Sequence, residues 1–232
     1  MSTYLQLAQM LRRECRVSGS GPTALTNQTE EYNRLLAWVN QAYIAILNLH
    51  TDWRFMRASA SCVTVQGQST YSPTTDFGLT DFGYWALDYA NGDTFRNYVT
   101  ASGASSEIFM EVWDYDFWRD AYLYGALRTA YTRPIGVALA PNNSLACGPI
   151  PAAGYTLLGD YYRVPTEMTA ADDVPVIPTQ FQWAIVYRAK MYYGISEAAP
   201  EVYDSGKEEF ERIIRQMELT QLRRVRMSGA LA

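Results

Sequence analysis

The chain has 232 residues, 48% of them hydrophobic and 19% charged, with a formal net charge of −5. That is enough apolar material for a full core, which argues against a disordered chain. The acidic balance argues against broad binding to duplex nucleic acid, which requires a basic face to neutralise phosphates and release counterions.

Cys15, Cys62 and Cys147 are odd in number, far apart and without a histidine cluster, so they form neither a disulfide framework nor a metal motif. The start, MSTYLQLAQMLRREC, lacks the charged-then-apolar order of a signal peptide, and no apolar run reaches the roughly 18 residues of a membrane span. Synthesis in a reducing cytoplasm, with no membrane partner, is the expectation. Aromatic residues make up 14% of the chain, with 18 tyrosines, and concentrate in 71–118 and 155–193. Tyrosine carries a large apolar face with one polar tip, so this richness suits burial against partners as well as inside the chain.

From Thr3 to Arg16, Tyr4, Leu7, Leu11 and Cys15 fall on one side at helical spacing, which predicts an amphipathic helix. The stretch Ser18-Gly19-Ser20-Gly21-Pro22 breaks it. Asn27 with Glu30 reads as a capping box, and Tyr32, Leu35, Leu36, Val39, Tyr43, Ile46 and Leu47 line one face of a second helix over 28–49. After Trp53-Arg54-Phe55-Met56 the period becomes alternating through Ser61, Val63 and Val65, and Gly67-Gln68 leads into a run ending at Tyr71, which predicts a hairpin.

Turn signals at Asp81-Phe82-Gly83 and Asn91-Gly92-Asp93 precede a second hairpin through Phe95 to Val99. A short helix is expected from Asp114 to Ala126. A three-stranded meander is expected from Gly136–Pro141, Ser144–Pro149 and Tyr155–Val164, with a turn at Asn142-Asn143. A helix over 179–197 carries Phe181, Ile185, Ala189 and Tyr192 or Tyr193 on its apolar face. The last helix begins near Pro200 with Tyr203, Phe210, Ile213, Ile214, Met217 and Leu222 on one side. Its charges run from Glu208, Glu209 and Glu211 to Arg223, Arg224 and Arg226, which complements the helix dipole. The expected class is α+β: an antiparallel bundle of N- and C-terminal helices with a large β-rich insertion, divided as 1–57, 58–176 and 177–232.

Enzymatic signatures are sparse. There is no GxxxxGK[ST] loop, and Gly19-Ser20-Gly21-Pro22 follows a helix and holds a proline where a phosphate loop needs amide donors. The single histidine, His50, has no identifiable nucleophile or orienting acid and reads as a helix-end residue. Glu107, Glu111, Asp114 and Asp116 could in principle pair for glycoside hydrolysis, but Asp114 and Asp116 are equally N-caps and the others solvated charges. No catalytic, cofactor or metal site is assigned. Taken alone, the terminal arginines are either a solvated helix end or docking residues for an acidic groove.

The order of several short strings resembles the head-to-tail adaptor proteins of tailed bacteriophages, including the tail tubular protein A group and the head-completion adaptors. These strings are the helix pair closing on Asp52-Trp53-Arg54-Phe55, the segment Gly136 to Pro151, Tyr161-Tyr162-Arg163-Val164-Pro165, and Asp173-Val174-Pro175-Val176-Ile177-Pro178 leading into Phe181 to Val186 and a Pro200-initiated helix. The resemblance implies a non-enzymatic virion protein at the head–tail junction, with about twelve copies in a closed ring that joins the portal protein to the tail. DNA would pass through the ring without specific binding. It further implies portal docking through Arg215, Met217, Leu222, Arg223, Arg224 and Arg226. The loop bearing Asp76, Phe77, Asp81, Phe82 and Tyr84 would face the next tail component, a nozzle or tail-tube protein. The alternatives are a tail-associated peptidoglycan hydrolase and a tail-completion or terminator protein elsewhere in the virion.

Overall fold

The computed structural model describes residues 1–87 and 94–222, so the Asn91-Gly92-Asp93 turn signal lies outside the described residues. In chain order the elements are α1 (Tyr4–Glu14), α2 (Glu30–Leu47), β1 (Arg57–Val63), β2 (Thr70–Tyr71), β3 (Phe82–Trp85), β4 (Arg96–Val99), β5 (Ile108–Phe109), β6 (Glu111–Trp113) and α3 (Tyr115–Trp118). There follow β7 (Tyr131–Thr132), β8 (Gly136–Leu139), β9 (Leu145–Gly148), β10 (Ile150–Pro151), β11 (Tyr155–Arg163), α4 (Trp183–Ser196) and α5 (Pro200–Gln221). The chain divides into two compact units, residues 1–56 with 165–232, and residues 57–164.

In the helical unit, Thr3 caps α1 through a capping box with Gln6, and Leu7, Ala8 and Leu11 are fully buried. Burial of each leucine contributes roughly 1.5–3 kcal/mol. Helix α2 is capped by Thr29, which accepts from the Tyr32 amide, in place of the expected Asn27. Asn27 instead sits at a positive φ of 57° in the preceding turn, which its short polar side chain tolerates. Helix α4 packs against α1, α2 and α5 and buries Ala184, Ile185, Val186 and Ala189. The expected helix start at Thr179 is a single 3-10 turn, Thr179–Phe181. The extended segment 165–178 is fixed by its backbone bonds: Asn40 exchanges two hydrogen bonds with the Met168 backbone, and the Tyr43 hydroxyl accepts from the Val176 amide.

The second unit corrects the expected fold class. The expectation was a helical bundle carrying one large β-rich insertion; the chain is α+β with five α-helices and several sheets among the described residues. Strand β11 is the centre of a five-stranded sheet, pairing β1 along one edge and β3 and β4 along the other, with β5 beyond β4. A four-stranded sheet runs β2-β9-β8-β6, and β7 pairs with β10 separately. The expected hairpin of β1 with β2 does not form, because the two strands belong to different sheets. The meander is half present: β8 and β9 pair across the Asn142-Asn143 turn, while β11 joins the other sheet. Asn143 adopts a positive φ of 65° there. Alternation marks strands but does not choose their neighbours; the choice rests on which faces bury together.

Those faces are legible in the structure. Val137, Leu145 and Cys147 point into a core with Tyr71, Trp85, Phe95, Met110 and Leu157. Ala138 and Ala146, on the opposite face of the same sheet, pack under Trp118 and Tyr122. Trp118 donates its indole N–H to the Cys147 carbonyl at 3.0 Å. The expected helix over 114–126 is only α3, capped by Asp114, followed by a π turn at Arg119–Leu123 and a 3-10 turn at Ala126–Thr129.

Candidate docking surfaces

The end of α5 has two unlike faces. Ile213, Ile214 and Met217 are buried, and the neighbouring Glu218 carboxylate meets His50 Nε2 at 2.9 Å. The His50 ring packs edge-on against buried Trp53 at 4.8 Å. His50 therefore ties the last turns of α5 to the end of α2. On the outward face, Arg212 pairs with Glu209 at 2.6 Å and Arg215 with Glu211 at 3.4 Å, both along the helix. Such exposed pairs contribute only tenths of a kcal/mol and exchange readily for a partner's carboxylate.

Of the expected docking residues, Arg215 is exposed and Leu222 half-buried, whereas Met217 is fully buried in the helical unit. Arg223, Arg224 and Arg226 lie outside the described residues. Leu219, absent from that expectation, is 77% exposed on the same side as Arg215. Its signal was in the sequence: with Ile213, Ile214 and Met217 defining the buried stripe, a leucine two residues past Met217 falls off it.

The 76–84 stretch is brought together as a braced turn. Asp76 accepts from the Ser72 amide at 2.6 Å and from Gln68 at 2.9 Å. Asp81 accepts from the Tyr161 hydroxyl at 2.8 Å and pairs with Arg163 at 3.3 Å. Phe77 is buried against Trp85, and Phe82 is half-buried and stacked on Tyr161. Tyr84 stacks on Tyr162 at 5.0 Å and is partly exposed, so within this set it presents the largest apolar surface outward.

The acidic residues weighed for hydrolysis occupy structural contacts. Glu107 pairs with Arg96 at 3.1 Å, Glu111 accepts from the Trp113 indole at 3.0 Å, Asp114 caps α3 and Asp116 pairs with Arg119. An apolar depression of about 460 Å³ lies where α4 turns into α5, lined by Gly194, Ile195, Ala198, Pro200 and Tyr203. No group of metal-binding side chains occurs among the described residues. None of their helices is long and apolar enough to cross a membrane.

Exposed apolar side chains set beside exchangeable ion pairs are the furniture of an assembly protein. The family model described as SU10 adaptor protein matches residues 2–232, and the chain belongs to that family. It is accordingly a structural adaptor of a bacteriophage, a component of the virion with capsid or tail proteins as partners. The match bears out the expected kinship with phage adaptors, without extending to the tail tubular protein A group. No curated protein matches the chain.

Proposed function

We propose that the protein forms a closed ring of about twelve copies that joins the portal protein to the next tail component, a nozzle or tail-tube protein. The observation that carries this reading is the adaptor-family match over residues 2–232. Each subunit of such a ring needs two different adhesive faces, and repeated weak contacts reinforce one another through effective concentration. The exposed side of α5 with Arg215 and Leu219, together with Leu222, Arg223, Arg224 and Arg226, which follow α5 in the sequence, is the portal-docking segment in this proposal. Arg215 would trade its present intrahelical partner, Glu211, for a portal carboxylate, while buried Met217 holds the helix in place. The turn bearing Asp76, Phe77, Asp81, Phe82 and Tyr84 faces the tail. DNA passes through the ring without specific binding, in keeping with the net charge of −5.

The test is mass photometry of the purified chain alone and mixed with portal rings. A portal complex that gains about twelve copies is the expected result. A chain that stays separate from intact portal rings would overturn the proposal and turn attention to a tail-completion role. Deleting residues 222–232 is expected to leave a folded protein that no longer joins the portal. Full incorporation of that truncation into particles would defeat the docking assignment.

A further inference from the structure

Strand β1 is an edge strand of the five-stranded sheet, and its backbone directions follow from its register with β11. The Thr64 amide donates to the Tyr155 carbonyl, in continuation of the pairings Cys62↔Leu157 and Ala60↔Gly159. In an antiparallel ladder, alternate residues bond the same neighbour. The even-numbered residues of β1 therefore bond β11, and the N–H and C=O groups of Arg57, Ser59, Ser61 and Val63 point away from it. Among the described residues, no backbone partner occurs for these groups on that side.

Proteins normally blunt such an edge with lysine, proline, a bulge or an inward-facing charge. Here β1 has a continuous seven-residue register without a bulge and contains no lysine or proline. Its one charge, Arg57, is neutralised on its own sheet by Asp160 at 2.6 Å, and Ser59 donates to the same carboxylate at 2.8 Å. Val63 and the following Val65 are 55% and 58% exposed. Among the described residues the edge has no backbone partner, and it is regular and free of uncompensated charge.

The sequence of the edge also suits itself. In an antiparallel pairing of two β1 strands centred on Ala60, Ser59 lies opposite Ser61 of the second strand, and Arg57 lies opposite Val63. No like charges meet, the two arginines fall at opposite ends, the serines can hydrogen-bond across, and the valine covers the arginine stem. All four outward-facing residues find a partner in that register, for about eight new backbone hydrogen bonds. A register moved by one residue would oppose outward-facing to inward-facing backbone and make none of them.

We infer that the outer edge of β1 is a strand-pairing site for a second copy of this chain, joining two five-stranded sheets into one across a two-fold axis at Ala60. This contact closes at two copies, so it is distinct from the head-to-tail contacts of a ring and does not depend on the portal reading.

The experiment is sedimentation velocity of the full chain across a concentration series, with Ser61→Pro and Ser61→Lys beside the unaltered protein. Proline at 61 removes a donor that β11 does not use, so the fold is kept while the dimer loses two hydrogen bonds by symmetry. Association is expected to weaken about 10- to 100-fold. Lysine at 61 keeps the backbone donor and adds charge to the edge, and should weaken association even if the proline variant folds poorly. A nitroxide attached at Val63→Cys should report a separation of about 20 Å between labels, six residues along the paired strands. A chain that remains monomeric, a dimer indifferent to both Ser61 variants, or labels far from that separation would each overturn the inference.

Discussion

At the scale of single residues, burial decides what the reactive side chains do. Cys15 and Cys62 have their thiols pushed up to about 12, chiefly by desolvation, and burial raises Cys147 as well. Protonated, buried thiols are poor nucleophiles, so a disulfide-exchange reagent at pH 8 should label none of the three in the native protein and all three after denaturation. Lys190 is 9% exposed and donates to Glu14 and Ser205, both at 3.3 Å, tying α4 to α1 and α5. Its hydrocarbon stem and its charge are both in use there. Lys190→Ala should cost about 2 kcal/mol in urea denaturation and Lys190→Met less, because methionine refills the volume while partly exposed Glu14 can hydrate. The Asp173 carboxylate accepts from the Ala170 amide at 2.7 Å and the Thr169 amide at 2.6 Å, and these bonds hold its pKa below the ordinary aspartate value. A depressed folded-state pKa gives stability that is present above the unfolded value of about 3.9 and lost as pH falls through the lower folded value. Asp173→Asn should therefore lower the thermal midpoint at pH 7 and narrow its difference from the unaltered protein in strong acid.

At the scale of elements, the helices were the legible part, because a buried stripe recurring every three to four residues is written locally. Tyr4, Leu7 and Leu11 of α1 and Leu35, Leu36, Val39, Tyr43, Ile46 and Leu47 of α2 are buried as the spacing predicts. What the spacing does not carry is how closely two helices approach. A Cβ added at Gly194 would lie 2.7 Å from the Tyr203 backbone nitrogen, so α4 and α5 meet where a side chain has no room. Gly194→Leu should destabilise the protein by about 1–3 kcal/mol or more, read as a lower denaturation midpoint at unchanged slope. The candidate docking helix shows the same division. The amphipathic face of α5 was legible, and Ile213, Ile214 and Met217 are buried along it, while Leu219 two residues on is exposed and the intervening Glu218 meets His50 at 2.9 Å. His50→Ala should leave the core of α5 intact and speed amide exchange in its last two turns, measured by hydrogen–deuterium exchange.

At the scale of the whole molecule, the amino-acid sequence alone determined that α1, α2, α4 and α5 are helical, that α2 and α5 each bury one stripe, and that the chain is kin to phage adaptors. These are properties of local periodicity, of turn residues such as Asn142-Asn143, and of the order of short strings along the chain. Tertiary structure decided the rest of the architecture: that β11 leaves β9 for β1, β3 and β4, that β1 and β2 enter different sheets, and that the middle of the chain holds several sheets interrupted by α3 and its π turn. It also separated the aromatic residues into those that fill cores, such as Trp53, Trp118 and Phe95, and those left outward, such as Tyr124 at 70% exposure. The reason is physical. A helix closes its hydrogen bonds within a few residues, so its pattern is sufficient to specify it, whereas a strand bonds a neighbour that is far along the chain and is selected by the joint burial of whole faces.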